Sequence, residues 1–292
     1  MIQERLKALR AEMEKRGITV YVVPTADFHE SEYVGDHFKA RKFITGFTGS
    51  AGTAVITAEE AGLWTDGRYF VQAENQLKGS TVTLYRMGEE GVPTVDEFVK
   101  DKLNEGGCLG FDGRVVNGTW GGKLEKIASA KNASMHVTED LIDLIWEDRP
   151  ALSKQPLFIL EEKYSGKSTA DKIADLRKAM KENGANVHIL TSLYDIAWLL
   201  NIRGNDIDYV PVVLSYLVLT ETECIWFLQE DVVDDKIRAY LDENHIITKP
   251  YNAVYDYVPE IPADAVVLMN RGMVNYRIVN SLDKAIKVVD KP

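Results

Sequence analysis

The sequence predicts an α/β protein made of two tandem, duplicated domains, each a mixed β-sheet covered by helices. Residues 9–17 read Leu-Arg-Ala-Glu-Met-Glu-Lys-Arg-Gly and residues 176–184 read Leu-Arg-Lys-Ala-Met-Lys-Glu-Asn-Gly, so Leu, Arg, Met and Gly recur at identical spacing. Helix-type and strand-type patterns then follow in the same order in both copies. A period this long indicates a duplicated domain and not a solenoid of short repeats.

The match between the copies continues downstream and sets the domain boundaries. The further matching pairs are Val22-Val23 with Ile189-Leu190, residues 47–50 with 202–205, Leu63-Trp64 with Ile225-Trp226, and Val116-Asn117 with Val274-Asn275. A polar stretch between Pro150 and Pro156 is typical of a linker. We therefore predict a first domain over residues 1–150, a linker over 151–164 and a second domain over 165–292.

Each copy opens with a helix followed by a strand. Ile2, Leu6, Leu9 and Met13 form one apolar helix face, and Gly17 is placed to end that helix before a strand over residues 19–23. In the second copy, Ser168-Thr169-Ala170-Asp171 resembles a capping box and Gly184 ends the helix. Both copies therefore begin with the same helix–strand unit.

Next in each copy come a loop, a strand pair, a helix, a strand, a second helix and a last strand. The pairs are residues 53–57 with 63–66 and residues 212–219 with 224–228; their four-residue turns require antiparallel pairing. The last strands are predicted at 133–137 and 285–289. A capped helix is predicted from Thr138 in the first copy, whereas the second copy stops at Pro292, so we interpret the chain as a fragment or a non-catalytic half.

Composition limits the classes of partner. The chain has 45 acidic and 34 basic residues, a net charge of −11, and no basic stripe interleaved with aromatic residues. Phosphate backbones would be repelled, which argues against nucleic acid. No signal peptide is visible, and the longest apolar run, residues 210–219, is too short to cross a bilayer. Cys108 and Cys224 are expected to be buried free thiols, as in a cytoplasmic protein.

Phosphate-binding and metal-binding patterns are incomplete. The run Ser165-Gly166-Lys167-Ser168-Thr169 has the setting of a phosphate loop, but Glu161 stands where that motif has its first glycine, so a helix cap is the better interpretation. The five histidines show no ligand spacing. The patch from His29 to His37 is either a metal site or a polar surface loop, and no metal ligand is assigned.

Three loops are dense in unusual residues. The glycine-rich segment 46–53 is best explained by tight packing. The turn Trp64-Thr65-Asp66-Gly67-Arg68-Tyr69 places exposed-type side chains at a bend, and Trp64, Asp66, Arg68 and Tyr69 are candidates for an inter-domain or inter-subunit contact; a purely structural role is the alternative. The third loop contains the segment that is equivalent in the two copies, residues 47–50 and 202–205. The first copy has small residues there, whereas the second copy has Arg203, Asn205 and Asp206. These three are candidates for lining a substrate cleft, with Arg203 suited to carboxylate pairing.

Three segments together resemble aminopeptidase P of the long, three-domain cytosolic type. They are Phe43 to Gln72 (beginning Phe-Ile-Thr-Gly-Phe-Thr-Gly-Ser-Ala-Gly), Leu144-Ile145-Trp146-Glu147-Asp148-Arg149-Pro150, and Asp195-Ile196-Ala197-Trp198-Leu199-Leu200-Asn201-Ile202-Arg203-Gly204. The resemblance implies two creatinase-type N-terminal domains, with the catalytic pita-bread domain absent from this chain. It also implies that the full enzyme removes the residue before a proline in second position, using two divalent ions, usually manganese. The family's metal ligands lie in its third domain, so none is carried onto this sequence.

The function implied by the resemblance is that of the non-catalytic N-terminal portion of a metal-dependent Xaa-Pro aminopeptidase. The mechanism would be metal-assisted hydrolysis, to which this chain contributes neither ligand nor base. The implied partners are the catalytic domain of the same protein, a peptide with proline second, and a second copy of the full-length enzyme; no membrane is involved. Alternatives are a protein- or peptide-binding module of creatinase-type fold, and a stand-alone hydrolase using Asp66 or the patch from His29 to His37.

Overall fold

The computed structural model describes residues 1–291, which divide into two compact units. Unit 1 contains residues 1–27 and 36–151, and unit 2 contains residues 28–35 and the described residues from 152 onward. The segment 28–35 therefore belongs by its contacts to unit 2, although it precedes most of unit 1 in the chain. Among the described residues, no helix is both long enough and apolar enough to span a bilayer.

Unit 1 is a six-stranded mixed sheet covered by helices. Its helices are α1 (Ile2–Lys15), α2 (Ala40–Thr45), α3 (Phe70–Gln76), α4 (Val95–Lys102) and α5 (Gly118–Ser129). Its strands are β1 (Val20–Pro24), β2 (Thr53–Thr57), β3 (Ala61–Thr65), β4 (Thr83–Arg86), β5 (Cys108–Phe111) and β6 (Ser134–His136). The strand order is β4-β3-β2-β1-β5-β6, and β2 runs antiparallel to both neighbours.

Unit 2 repeats this architecture and adds a small ribbon. Its strands are β7 (Phe158–Ile159), β8 (Val187–Leu190), β9 (Ile202–Arg203), β10 (Ser215–Thr220), β11 (Cys224–Leu228), β12 (Ile246–Pro250), β13 (Val266–Met269) and β14 (Lys287–Asp290). Its helices are α6 (Glu162–Ser165), α7 (Thr169–Glu182), α8 (Leu193–Leu200), α9 (Asp235–Glu243), α10 (Val254–Tyr257) and α11 (Tyr276–Ser281). The large sheet has the order β12-β11-β10-β8-β13-β14, which is the order of unit 1, and β7 pairs with β9.

The predicted duplication and fold class are thus confirmed, down to individual helix caps. Asn117 accepts a hydrogen bond from the Trp120 amide at the start of α5, and Asn275 accepts one from the Ile278 amide at the start of α11. Gly17 and Gly184 both take positive φ angles, +65° and +66°, after the opening helices. These are the conformations in which glycine is favoured at helix ends.

The opening helices and the strand pairs form as predicted. Leu6, Leu9 and Met13 are buried beneath α1 in the core of unit 1. Ser168 caps α7 by accepting a hydrogen bond from the Asp171 amide, which supports the helix-cap interpretation of that run. Both predicted strand pairs are antiparallel, and both cysteines are free and buried.

Three predictions about the elements are wrong. The six-stranded sheet of each unit has one more strand than predicted, and the loop before each strand pair contains a helix, α2 in unit 1 and α8 in unit 2. The helix predicted from Thr138 is a series of turns. Its backbone amides are used elsewhere, because Leu141 donates to the Tyr21 hydroxyl at 3.0 Å and Ile142 donates to the Asp140 carboxylate at 2.9 Å.

Candidate functional site

The loop predicted to line a cleft begins at the end of α8. That helix starts at its N-cap Ser192 and ends at Asn201, whose left-handed backbone (φ +51°) stops it. The Asn201 side chain then holds the helix end in place: its Nδ2 donates to the Lys167 carbonyl at 2.9 Å and its Oδ1 accepts from Lys172 at 2.6 Å. The two residues that follow Asn201 form β9.

Arg203 is half-buried in β9 and folds back over the end of α8. Its Nη1 donates to the carbonyls of Ala197 and Ile202. Burial lowers the pKa of the guanidinium below its ordinary value. Because the last carbonyls of a helix carry partial negative charge, a cation is stabilised there. One role of Arg203 is therefore to cap α8.

A second cation, Lys172, lies beneath the same helix end. Its side chain is almost fully buried, donates to the Trp198 carbonyl at 2.8 Å, and has its Nζ 4.6 Å from the centre of the Trp198 ring. Burial, and then the neighbouring Arg203, lower the pKa of the Lys172 ammonium. Within residues 1–291, neither Lys172 nor Arg203 has a carboxylate within ion-pair distance.

The other two predicted cleft residues differ in exposure. Asn205 is exposed, whereas Asp206 is buried and accepts hydrogen bonds from the amides of Gln155 at 3.0 Å and Leu214 at 2.9 Å. Burial raises the pKa of the Asp206 carboxyl. Asp206 therefore joins the chain before β7 to the chain before β10, and only Arg203 and Asn205 face outward.

Exposed aromatic side chains lie on the two elements next to Arg203, the helix α8 and the strand β7. Tyr194 and Trp198 lie four residues apart on α8 and are 41% and 52% exposed, and Phe158, the β-ladder partner of Arg203, is 46% exposed. Residues at this helical spacing share one face, and residues directly opposite in a ladder lie side by side. The sequence did not lead us to select Lys172, Tyr194 or Phe158 as candidate site residues. The four-residue spacing of Tyr194 and Trp198 is the signal that could have indicated an aromatic face on this helix.

The turn at residues 64–69 is only partly exposed. Trp64 is fully buried, stacks on Tyr85 with ring centres 4.1 Å apart, and donates from Nε1 to the Pro93 carbonyl at 2.7 Å. The prediction that Trp64 is an exposed contact residue is therefore wrong, because β4 and the chain before α4 cover it. Arg68 is exposed, and Tyr69 is half-buried with its hydroxyl 2.6 Å from the Ser50 hydroxyl.

Asp66 pairs with Arg68 and has no features of a catalytic carboxylate. The Arg68 Nε and Nη2 each donate to one Asp66 oxygen at 2.8 Å. This pairing lowers the pKa of Asp66 to about 2. A general acid or base needs a pKa close to the working pH. The low pKa of Asp66 therefore does not support the alternative of a stand-alone hydrolase that uses this residue.

The glycine-rich segment of unit 1 packs tightly around Arg41. This arginine is buried, and its two terminal nitrogens donate to the carbonyls of Phe47 and Gly49. A Cβ on Gly49 would lie 2.2 Å from the Phe47 ring. These contacts account for the glycines by packing, as the sequence suggested.

The two histidines of the predicted patch have separate, local partners. His29 is buried, with Nε2 2.6 Å from the Tyr251 hydroxyl and Nδ1 3.0 Å from the Thr191 carbonyl. His37 Nδ1 lies 2.8 Å from the Pro150 carbonyl. The interpretation of this patch as a polar surface loop is therefore wrong for His29, because its side chain is buried. Across residues 1–291, no group of three or more His, Cys, Asp or Glu side chains is arranged to hold a metal ion.

A groove lies in unit 1, away from the residues singled out above. It has a volume of about 880 Å³ and is bordered by α1, the turn after β2, and the end of α4. Two of its cations already have partners, since Arg10 donates to the Thr57 carbonyl at 2.8 Å and Lys102 pairs with Glu60 at 2.5 Å.

Comparison with known proteins gives the same family for both copies. Family models described as the creatinase/prolidase N-terminal domain match residues 5–145 and residues 148–292. The probable Xaa-Pro aminopeptidase P of Neurospora crassa is 41% identical over 255 residues, covering 86% of this chain and 37% of the relative. That of Laccaria bicolor is 39% identical over 296 residues, covering 95% of this chain and 46% of the relative.

A solved structure matches the whole chain. The X-prolyl aminopeptidase of Caenorhabditis elegans, described as a cytosolic enzyme with a di-nuclear active site, superimposes with a TM-score of 0.94 at 32% identity; the match covers 100% of this chain and 50% of that one. The chain thus spans half or less of the length of these relatives. It belongs to the creatinase/prolidase N-terminal domain family, carries two such domains in tandem, and matches the N-terminal portion of Xaa-Pro aminopeptidase P.

Proposed function

We propose that this chain is the non-catalytic N-terminal half of a cytoplasmic, metal-dependent Xaa-Pro aminopeptidase. The full enzyme would remove the N-terminal residue from peptides with proline in second position. The observation that carries the proposal is the superposition of the whole chain on half of the C. elegans X-prolyl aminopeptidase at a TM-score of 0.94. Relatives of 38% to 41% identity with the name Xaa-Pro aminopeptidase P support it.

The metal chemistry is assigned to the half of the enzyme that this chain does not contain. The C. elegans relative has a di-nuclear active site, and two divalent ions, with manganese the proposed metal, would activate a water for attack on the peptide carbonyl. The described residues contain no cluster suited to such ions. We therefore assign no ligand, base or step of hydrolysis to this chain.

The role proposed for this chain is to form one wall of the peptide cleft and to restrict which peptides enter. Arg203 and Asn205 are the proposed wall residues, because they face outward on a loop fixed by Asp206 and by the end of α8. Arg68 and Tyr69, with Asp66 orienting Arg68, form the proposed contact with another subunit of the full-length enzyme.

The test is a comparison of the 292-residue chain with the full-length protein on the peptide Arg-Pro-Pro in excess manganese. We expect turnover only by the full-length protein, and loss of that turnover with a chelator. Chelator-sensitive release of arginine by the 292-residue chain would overturn the proposal. Binding of peptides or proteins without any turnover by the full-length protein would support the alternative of a binding module.

The cleft role has its own test in the full-length enzyme. We expect Arg203→Ala to raise KM for Xaa-Pro peptides, by about tenfold for loss of one charge-assisted hydrogen bond. The matched control is Arg238→Ala, which removes an exposed arginine of the same unit. Unchanged kinetics of Arg203→Ala on peptides of every length would rule out a cleft role for Arg203.

A further inference from the structure

The groove that α1 borders in unit 1 combines apolar and charged side chains. Its volume of about 880 Å³ lies within the range of small-molecule sites, which is about 300 to 1,000 Å³. Met13 and Ile18, both buried, form part of its apolar lining. Lys7, Arg10 and Glu14 line it as well, so that one helix supplies charges of both signs. Such a lining suits a ligand that has an apolar middle and two charged ends.

The charged groups that α1 contributes to the groove have no ion-pair partners. Within residues 1–291, no ion pair forms at Lys7, Arg10 or Glu14. Arg10 uses its Nε to donate to the Thr57 carbonyl, and its two terminal nitrogens donate to no group in this part of the chain. These two nitrogens are not among the fully buried polar atoms that lack a partner, so they reach solvent. They remain available to a ligand.

The equivalent positions of unit 2 show that the shared fold does not require this groove lining. Ala11 and Ala58 line the groove of unit 1. In unit 2, Lys178 takes the place of Ala11 in the repeated helix sequence, and Glu221 takes the place of Ala58 directly after the matching strand. Small side chains therefore leave the groove open in unit 1, where unit 2 has long, charged ones.

The charges on α1 are spaced to fit a short peptide. Lys7, Arg10 and Glu14 stand at positions i, i+3 and i+7, which share one face of a helix. With a rise of about 1.5 Å per residue, Lys7 and Glu14 lie about 10 Å apart along the helix axis. An extended tripeptide has about this length, at about 3.3 to 3.6 Å per residue. Glu14 is in the last turn of α1, where the partial negative charge of the helix end also favours an ammonium group.

We propose that this groove binds a short peptide of two or three residues through its two charged ends. The terminal carboxylate pairs with Lys7 and with the free guanidinium donors of Arg10, and the terminal ammonium pairs with Glu14. A phosphate ligand is disfavoured, because Glu14 and Glu59 bring negative charge to the same groove. The site lies in unit 1 and is separate from the loop of Arg203, so the inference does not depend on the proposed function.

The test is an NMR titration of the isotope-labelled 292-residue chain with tri-alanine, whose only charges are its termini. We expect shifted amide signals to cluster at Ala11, Gly17 and Ala58, which line the groove. Two capped peptides are the ligand controls: N-acetyl-tri-alanine lacks the ammonium, and tri-alanine amide lacks the carboxylate. Each should bind about tenfold more weakly than tri-alanine, because a charge-assisted hydrogen bond is lost.

Two substitutions assign the ends of the peptide. Lys7→Met should weaken binding of tri-alanine by about three- to tenfold and leave binding of the amide unchanged, because the amide has no carboxylate to pair. Glu14→Gln should weaken binding of tri-alanine to a similar degree and leave binding of the N-acetyl peptide unchanged. Both residues are exposed, so both variants should fold. A structural disturbance would instead weaken all three peptides alike, which would contradict the assignment.

A third variant fills the groove with the side chains that unit 2 carries. We expect Ala11→Lys combined with Ala58→Glu to abolish the shifts caused by tri-alanine without changing the melting temperature. The matched control is Ala174→Lys combined with Ala263→Glu, which introduces the same side chains at exposed alanines of unit 2 and should bind tri-alanine normally. Full binding by the filled variant would show that the peptide does not occupy this groove.

Other results also overturn the proposal. No shift of the groove amides in millimolar tri-alanine would do so, as would shifts confined to the loop of Arg203. Equal binding of the free and capped peptides would show that the charged ends are not recognised. Inorganic phosphate that shifts the same amides as strongly as tri-alanine would identify an anion site instead of a peptide site.

Discussion

Arg10 on α1 donates a hydrogen bond from Nε to the carbonyl of Thr57, the last residue of β2, at 2.8 Å. Unit 2 contains the same bond: Arg177 on α7 donates from Nε to the carbonyl of Thr220, the last residue of β10, at 3.0 Å. The arginine that recurs after leucine in both copies of the sequence therefore joins the opening helix to the central antiparallel strand in each unit.

The first prediction concerns this shared bond. Arg10→Met and Arg177→Met should each lower the free energy of unfolding by about 1 kcal/mol, because each leaves a strand-end carbonyl without its donor. Urea denaturation of the 292-residue chain measures the loss. Lys7→Met is the control, since Lys7 is exposed on α1. Losses no larger than that of the control would show that the bond does not stabilise the fold.

The second prediction compares the equivalent tryptophans of β3 and β11. The Nε1 of Trp64 donates to Pro93, whereas the Nε1 of Trp226 is buried without an acceptor among the described residues. Both substitutions to phenylalanine remove the same atoms, but only Trp64→Phe breaks a hydrogen bond. We expect Trp64→Phe to cost about 1 kcal/mol more than Trp226→Phe in the free energy of unfolding. Equal costs would contradict the assignment.

The third prediction concerns two glycines of unit 1 that should respond in opposite directions. Gly49→Ala should destabilise the protein by about 1–3 kcal/mol, because the new methyl group would overlap the Phe47 ring. Gly122→Ala, inside α5 with open space around it, should stabilise it by up to about 1 kcal/mol. Thermal unfolding monitored by circular dichroism measures both. A stabilising Gly49→Ala would show that the loop is not tightly packed.

The fourth prediction is the pH dependence contributed by Cys224. Burial raises the pKa of its thiol from 9.0 to about 12. Between those values the folded state keeps the proton and the unfolded state releases it, so stability falls as pH rises above about 9. The slope for one group is about 1.4 kcal/mol per pH unit. The difference in unfolding free energy between the wild type and Cys224→Ala should therefore shift in favour of Cys224→Ala above pH 9; a constant difference would contradict the raised pKa.

The burial of Cys224 also predicts its reactivity. In a Cys108→Ala variant, Cys224 is the single thiol, so labelling by a disulfide reagent at pH 8 reports on it alone. We expect little labelling of the folded protein and one equivalent after denaturation, because the thiolate is the reacting species. Rapid labelling without denaturant would show that this thiol is exposed.

Several features of the fold were predictable because they depend on short stretches of chain. The apolar face of α1, the stop at Gly17 and the cap at Ser168 each depend on a few consecutive residues, and the structure has all three. The antiparallel strand pairs were predictable because a short turn leaves no other arrangement. The duplication also made the order of the elements predictable, because helix-type and strand-type patterns follow one another in the same order in both copies.

Trp64 shows why the contact residues were harder to predict. The sequence suggests an exposed side chain at a bend, but β4 was not predicted, and β4 carries the Tyr85 ring that covers Trp64. Asp140 gives a similar lesson, since its carboxylate binds the Ile142 amide and pairs with Arg149 at 2.6 Å. Local helix signals after Thr138 were overridden by these contacts.

The sequence by itself determined the two copies, their family and the choice of Arg203, because repetition and motif are properties of residue order. The tertiary structure alone decided what surrounds Arg203. Lys172 lies on a different helix and reaches the end of α8 through packing, and Phe158 becomes a neighbour through strand pairing. Such neighbours are distant in sequence, so no local pattern records them; they exist because burial of the apolar core brings α7, α8 and the β7–β9 ribbon together.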